Sequence, residues 1–278
     1  MKLYHYTNIN ALINMLSNSI SIDEDTSVSY LNLYAKHISL LDDKNEFKLY
    51  TGMLKKEIVK YANNLQYTFS DIEFRKLNQV CSPNYYTTSL TDSCTNSFMW
   101  GNYADNYAGI CLEFDFDKIP IISTRKDGRI QLETAYNFRK CKYVSKEDIT
   151  FESEELCNIF EYITSENKDS DYIKNTIKGA AIIAHIANKA IIVKGKEFTQ
   201  EQEFRYSKCS NYILDDIKPE NKNCKTFLPI PTSIITAIIL GSGMSNSDHI
   251  NNIYATVRSI LGNNVEIKKS ECKPQIYG

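Results

Sequence analysis

An α+β fold in a single domain is what these 278 residues predict, with helices inserted at about 42–80 and 150–192. Three patterns predict it. The chain opens strand–helix–strand. Short runs rich in β-branched and aromatic residues recur to the C-terminal end. Two long stretches between them keep an apolar face at helical spacing.

Residues 2–7 alternate and are rich in Tyr and Thr, so they read as a strand. Thr7 or Asn8 can cap the following helix, where Ile9, Leu12, Ile13 and Leu16 make one apolar stripe. A second short strand follows at 19–22, and 23–41 reads as irregular or weakly strand-like. Phe47, Tyr50, Leu54, Ile58 and Tyr61 mark a long helix over 43–64. Strands are expected at 85–90, 109–116, 130–136 and 139–144, and helices at 152–165 and 172–192. The polar stretch 165–171 reads as a loop. The chain closes with strands at 204–207 and 234–240, a helix at 247–261 and a strand at 265–268.

Bulk composition excludes more than it assigns. A net charge of −2 gives no overall basic field for nucleic acid. The N-terminal residues lack an apolar secretory core, and the most apolar windows are broken by Lys178, His185, Asn188 and Lys189 or are too short to span a bilayer. A cytoplasmic protein without a membrane partner is the expectation. The eight cysteines show no metal-ligand spacing and read as reduced, mostly buried thiols, and the four histidines are scattered, so no metal is expected.

Several features have two readings. Gly241-Ser242-Gly243 could cradle a phosphate ahead of a helix, or simply turn the chain. His185, set in an apolar run, reads as a packed core histidine. Glu113, Asp115 and Asp117 alternate with Leu112, Phe114 and Phe116; such a strand face either holds Mg²⁺ or meets water.

Three blocks carry candidate chemistry. His5 ends the first strand just before a capped helix, at a sheet rim where ligands tend to bind, although a half-buried strand histidine is the plainer alternative. The 85–91 strand leads into Ser97–Tyr103, placing Trp100 (a single tryptophan among 19 tyrosines) and Tyr103 on one helical face. Glu201, Glu203 and Arg205 alternate at the start of a late strand, so they are expected on one strand face, with Arg205 able to pair with Glu203.

In order, Tyr4-His5-Tyr6-Thr7, Asp43-Lys44-Asn45-Glu46-Phe47, Met99-Trp100-Gly101-Asn102-Tyr103-Ala104, Gly109–Phe114 and Glu201–Arg205 resemble the bacterial domain-of-unknown-function 2971 family over roughly residues 3–241. Phe198 stands where that family usually has tryptophan. More distantly, His-x-Thr ending a strand, a strand–turn–helix with Ser89 and Tyr103, and a glutamate opening a late strand resemble ADP-ribosyltransferases of the His-Tyr-Glu type.

That likeness implies an ADP-ribosyltransferase-like mixed sheet core and NAD⁺ as substrate. By it, His5, with Thr7 and Ser89 beside it, would hold the adenosine ribose and the nicotinamide amide. Tyr103 or Trp100 would stack on the nicotinamide ring, and Glu203 would stabilise the oxocarbenium ion as the glycosidic bond breaks. Glu201 would orient an acceptor, and Arg205 would keep Glu203 ionised. The implied setting is a bacterial toxin or antiphage effector with a macromolecular acceptor, protein or nucleic acid, and an antitoxin or other protein partner. Two other classes stand beside this one: a Mg²⁺-dependent nuclease built on Glu113, Asp115 and a distant acid, and a non-catalytic module binding a nucleotide or protein through the Trp100/Tyr103 face.

Overall fold

A computed structural model describes residues 1–24, 27–41, 46–82, 85–119, 123–126, 129–132, 138–165, 172–209 and 226–274. The opening follows the sequence pattern: β1 (Lys2–Thr7), α1 (Ile9–Asn18) and β2 (Ile20–Ile22). Asn8 is the cap, its side chain accepting the Ala11 amide at 2.8 Å. The stretch expected to be irregular contains a nine-residue strand, β3 (Ser29–His37). Its period of two was present in Leu31, Leu33 and Ala35, which are buried between Asn32, Tyr34 and Lys36.

Helices α2 (Glu46–Asn64) and α3 (Asp71–Val80) form the first insertion, the second opened by a reciprocal Ser70–Glu73 capping box. Then come β4 (Tyr85–Thr91), the short α4 (Ser97–Tyr103) and β5 (Ile110–Asp115). A hairpin, β6 (Ser123–Lys126) and β7 (Arg129–Leu132), stands where one strand over 130–136 was expected; 133–136 lie outside the described residues. The strand expected over 139–144 is two, β8 (Arg139–Lys140) and β9 (Lys142–Val144), which join different sheets on either side of Cys141.

The second insertion is α5 (Ser153–Thr164) and α6 (Tyr172–Ala190); of the stretch expected as a loop, 165–171, residues 166–171 also lie outside the described residues. The chain continues through β10 (Val193–Gly195), β11 (Glu203–Cys209), β12 (Thr226–Pro231), β13 (Ile235–Leu240), α7 (Ser247–Leu261) and β14 (Glu266–Lys269). Strand β12 was not expected, since Pro229 and Pro231 interrupt it. It pairs only with β3, at the end of the sheet order, where a missing amide costs nothing.

Among the described residues ten strands form one mixed sheet with the path β12-β3-β4-β1-β5-β13-β14. Only the β13–β14 pair in it is parallel. Leu12 and Leu16 of α1 and Ile253 and Val257 of α7 pack on one face against Leu3, Leu112 and Phe114. Tyr6, Trp100, Tyr107 and Ile239 form the core of the other face. The two insertions meet as one helical body around Leu54, Ile58, Leu77, Ile163 and Ile186. Each such aliphatic side chain contributes roughly 1.5–3 kcal/mol on full burial. Among the described residues no helix is long and apolar enough to cross a membrane.

Strand β4 positions the site. One of its edges carries β11 along its whole length, from Glu203 opposite Thr91 to Cys209 opposite Tyr85. The other edge is shared: β3 pairs at Tyr86 and Thr87, and β1 pairs at Thr91. Between those contacts β1 and β3 diverge, and no described strand pairs with Thr88–Leu90 on that edge. The sheet is open there.

Candidate functional site

A cavity of about 750 Å³ fills the opening. His5 and Thr7 of β1 reach it, as do Met15 of α1, Lys36 of β3 and Ser89 of β4. Tyr103 of α4, Lys194 of β10 and Glu201, Glu203 and Arg205 close it from the other side. Residues paired directly across antiparallel strands share a face, so Tyr4, Thr91 and Glu203 lie on one face and His5 and Thr7 on the other. The gap between β1 and β3 lets both sets line one space.

His5 is half-buried and hydrogen-bonded to the Ser89 backbone. Burial pushes its pKa below the ordinary histidine value, and the Ser89 bond only partly offsets that. The imidazole is therefore neutral near pH 7 and can donate from one nitrogen and accept at the other. Tyr103 is 45% exposed, its ring open to the cavity and its hydroxyl donating to Glu201 Oε1 at 2.9 Å. Burial and the Glu201 charge raise the Tyr103 pKa, so the phenol remains a donor.

The two glutamates do not alternate along one strand as expected. Glu201 ends a 3-10 turn over Lys196–Glu201, and Glu203 opens β11. Gln202 between them is left-handed, with φ of 48°, an uncommon conformation for a non-glycine residue. That bend keeps Gln202 exposed and buries both acids. It is pinned twice: the Glu203 amide donates to the Tyr143 hydroxyl at 2.8 Å, and the Thr91 hydroxyl donates to the Gln202 carbonyl at 3.2 Å. Asn96 ties in α4, accepting the Met99 amide at 3.2 Å and donating to the Gln200 carbonyl at 2.6 Å.

Glu203 accepts Arg205 Nε on Oε1 at 2.8 Å and Arg205 Nη2 on Oε2 at 3.0 Å. Lys194 Nζ adds a bond to Oε2 at 2.7 Å and also binds Glu201 Oε2. Burial alone would raise the Glu203 pKa, but Arg205 and Lys194 outweigh it and hold the carboxyl down at about 2. All four charged groups are buried, two of each sign. Lys194 went unread in the sequence. Its signal was a lone lysine in the apolar run Ile191-Ile192-Val193-Lys194, just ahead of the glutamates.

Other expectations are corrected. Trp100 does not line the cavity: it is fully buried, edge-on to Tyr6 at 5.1 Å, with its indole N–H donating to the Cys94 carbonyl at 2.8 Å. A tryptophan with its N–H satisfied inside is core, so of the two expected stacking rings Tyr103 remains, with Tyr4, Tyr34 and Phe198 also on the cavity lining. Glu113 is not a metal ligand on an outer face. It is buried and bound to Lys2 Nζ at 2.7 Å, Thr236 Oγ1 at 2.7 Å and Lys268 Nζ at 3.7 Å, tying four strands together. Asp115 caps the following turn.

Among the described residues no group of three His, Cys, Asp or Glu side chains could hold a metal ion. His185 is not packed in the core. Its side chain is 56% exposed, 3.3 Å from Glu155. Gly241 and Gly243 donate their amides to the Gly109 and Tyr107 carbonyls at 2.9 Å each, in keeping with the plain-turn reading of that segment. A Cβ on Gly241 would run into the Tyr107 carbonyl, which accounts for that glycine. Of the block at 43–47, Asp43, Lys44 and Asn45 lie outside the described residues.

Residues 99–206 match the family model of DUF2971, described as a protein of unknown function. The DUF2971 match is narrower than the 3–241 span expected, taking in Tyr103, Lys194 and the Glu201–Arg205 block but not His5. No curated protein and no solved structure matches the chain.

Proposed function

We propose that the cavity binds NAD⁺ and breaks its nicotinamide–ribose bond, passing ADP-ribose to an acceptor or to water. One observation carries the reading: His5, Tyr103 and Glu203, far apart in sequence, line a single cavity where the sheet opens. At about 750 Å³ the cavity falls within the ~300–1,000 Å³ typical of ligand pockets. The DUF2971 description carries no activity, so the reading rests on these residues.

The chemistry follows from residue type. Breaking the glycosidic bond puts positive charge on the ribose. A carboxylate already fixed at that point needs no reorganisation, so it favours the transition state over the ground state. Arg205 and Lys194 hold Glu203 ionised and oriented, although they also offset part of its charge. The open ring of Tyr103 offers a flat face to nicotinamide, and neutral His5 can both give and take a hydrogen bond on ribose or amide. NAD⁺ consumption of this kind suits a toxin or antiphage effector.

The deciding experiment is nicotinamide release from NAD⁺ by purified protein, with and without cell lysate to supply an acceptor. Release in either condition supports the reading; no binding and no release in both ends it. A second reading, a nucleotide-binding module without chemistry, is favoured by the prior engagement of both glutamates in ion pairs. NAD⁺ binding without nicotinamide release would select it.

A further inference from the structure

We infer that Lys194 closes the acceptor side of this cavity to cations, so that the nucleophile receiving ADP-ribose is an uncharged oxygen; this rests on the NAD⁺ reading above. A guanidinium or ammonium acceptor is drawn in by carboxylate oxygens, and a guanidinium prefers two at once. Every such oxygen here already faces a donor of the chain itself. Glu201 Oε1 takes the Tyr103 hydroxyl and Oε2 takes Lys194. Glu203 Oε1 takes Arg205, and Oε2 takes Lys194 and Arg205.

The charges decide which guests are tolerated. Two carboxylates are matched by one ammonium and one guanidinium, all buried, so a third cation would leave a net positive charge away from water. Lys194 cannot easily swing aside. Its backbone is fixed in the parallel β9–β10 pair opposite Tyr143, and its ammonium lies 5.0 Å from the Phe198 ring centroid. An uncharged oxygen meets no such barrier. Among the described residues Glu201 Oε1 accepts one hydrogen bond, from the Tyr103 hydroxyl, which leaves a lone pair for a second neutral donor such as water.

The step balances as follows. The N-glycosidic bond breaks and its electron pair leaves on nicotinamide. The water oxygen bonds to the ribose carbon, and its proton passes to Glu201 and on to solvent. ADP-ribose, nicotinamide and one proton are the products.

The test supplies NAD⁺ with agmatine, a small guanidinium amine, and identifies products by mass spectrometry. Wild-type protein is expected to form ADP-ribose and no agmatine conjugate, even with agmatine in large excess. Lys194→Met, which keeps most of the length but removes the charge, should raise the conjugate at least ten-fold, whereas Lys194→Arg should not. Conjugate formed by the wild type overturns the inference, as does a Lys194→Met protein that releases nicotinamide yet makes no more conjugate than wild type. If Lys194→Met fails to fold, the wild-type product ratio decides. Wild-type protein that neither binds NAD⁺ nor releases nicotinamide defeats the NAD⁺ reading itself, a result distinct from the agmatine conjugate that defeats the inference alone.

Discussion

Arg205 grips Glu203 two residues before it on the same strand, Nε to Oε1 at 2.8 Å and Nη2 to Oε2 at 3.0 Å. The third guanidinium nitrogen, Nη1, donates to the Ile191 carbonyl at 2.9 Å, just after α6. The acid proposed to face the ribose is thereby anchored to the second helical insertion. Its substitution tests chemistry and stability together.

Glu203→Gln should lower nicotinamide release by roughly 10²–10³-fold, the scale of removing one fixed electrostatic stabiliser. It should also destabilise the protein by up to about 3 kcal/mol, because Arg205 and Lys194 stay buried with one anion fewer. Urea unfolding separates the two effects: turnover per folded molecule must fall far more than the folded fraction does.

Tyr103→Phe keeps the ring and loses the hydroxyl bond to Glu201. NAD⁺ affinity should change little in Phe and fall roughly two- to twelve-fold in Tyr103→Ala, given about 0.5–1.5 kcal/mol for an aromatic contact. Equal losses in both variants, measured by calorimetric titration, would place the role in the hydroxyl instead of the ring.

Trp100→Ala opens a hole in the buried cluster of Tyr6, Tyr107 and Cys111. A cost of roughly 3–5 kcal/mol is expected from such a truncation. Trp100→Phe should cost less and leave NAD⁺ affinity within about two-fold, since the indole does not reach the cavity. A selective loss of binding by a stably folded Trp100→Phe protein would return Trp100 to the site.

The depressed His5 pKa sets a pH dependence. A base whose folded pKa lies below its unfolded value binds its proton later in the folded state. Its contribution to stability is therefore present above the unfolded value of about 6.5 and is lost as pH falls through the lower folded value. Denaturation from pH 7.5 to 5 should show falling stability, and His5→Asn should flatten that slope.

Much of this layout is legible from residue types. The Ile9–Leu16 stripe and the Ile235–Leu240 run have one period each and no competing signal, and both elements stand where that period puts them. Strand β3 was hidden because its outward residues are Asn, Tyr and Lys, and β12 because prolines suit only a strand whose amides need no partner. At the site, scarcity is no guide to function: the single tryptophan is fully buried, away from the cavity. Glu201 and Glu203 were read as neighbours on one strand face, but the left-handed Gln202 that brings both inward is a backbone choice no side-chain pattern announces. Lys194 acquires its meaning only through contacts with two acids that follow it in the chain.

The shared edge of β4 has a consequence for synthesis. β1 and α4, carrying His5 and Tyr103, leave the ribosome before β11, which delivers Glu203. Domains fold as the chain grows from its N-terminal end, so a nascent chain can shape one wall of the cavity while still lacking the acid opposite it. On the NAD⁺ reading, the proposed chemistry waits for Glu203 and is absent from products truncated before β11. On that reading, a cell is exposed to the activity only after β11 has been made and paired with β4.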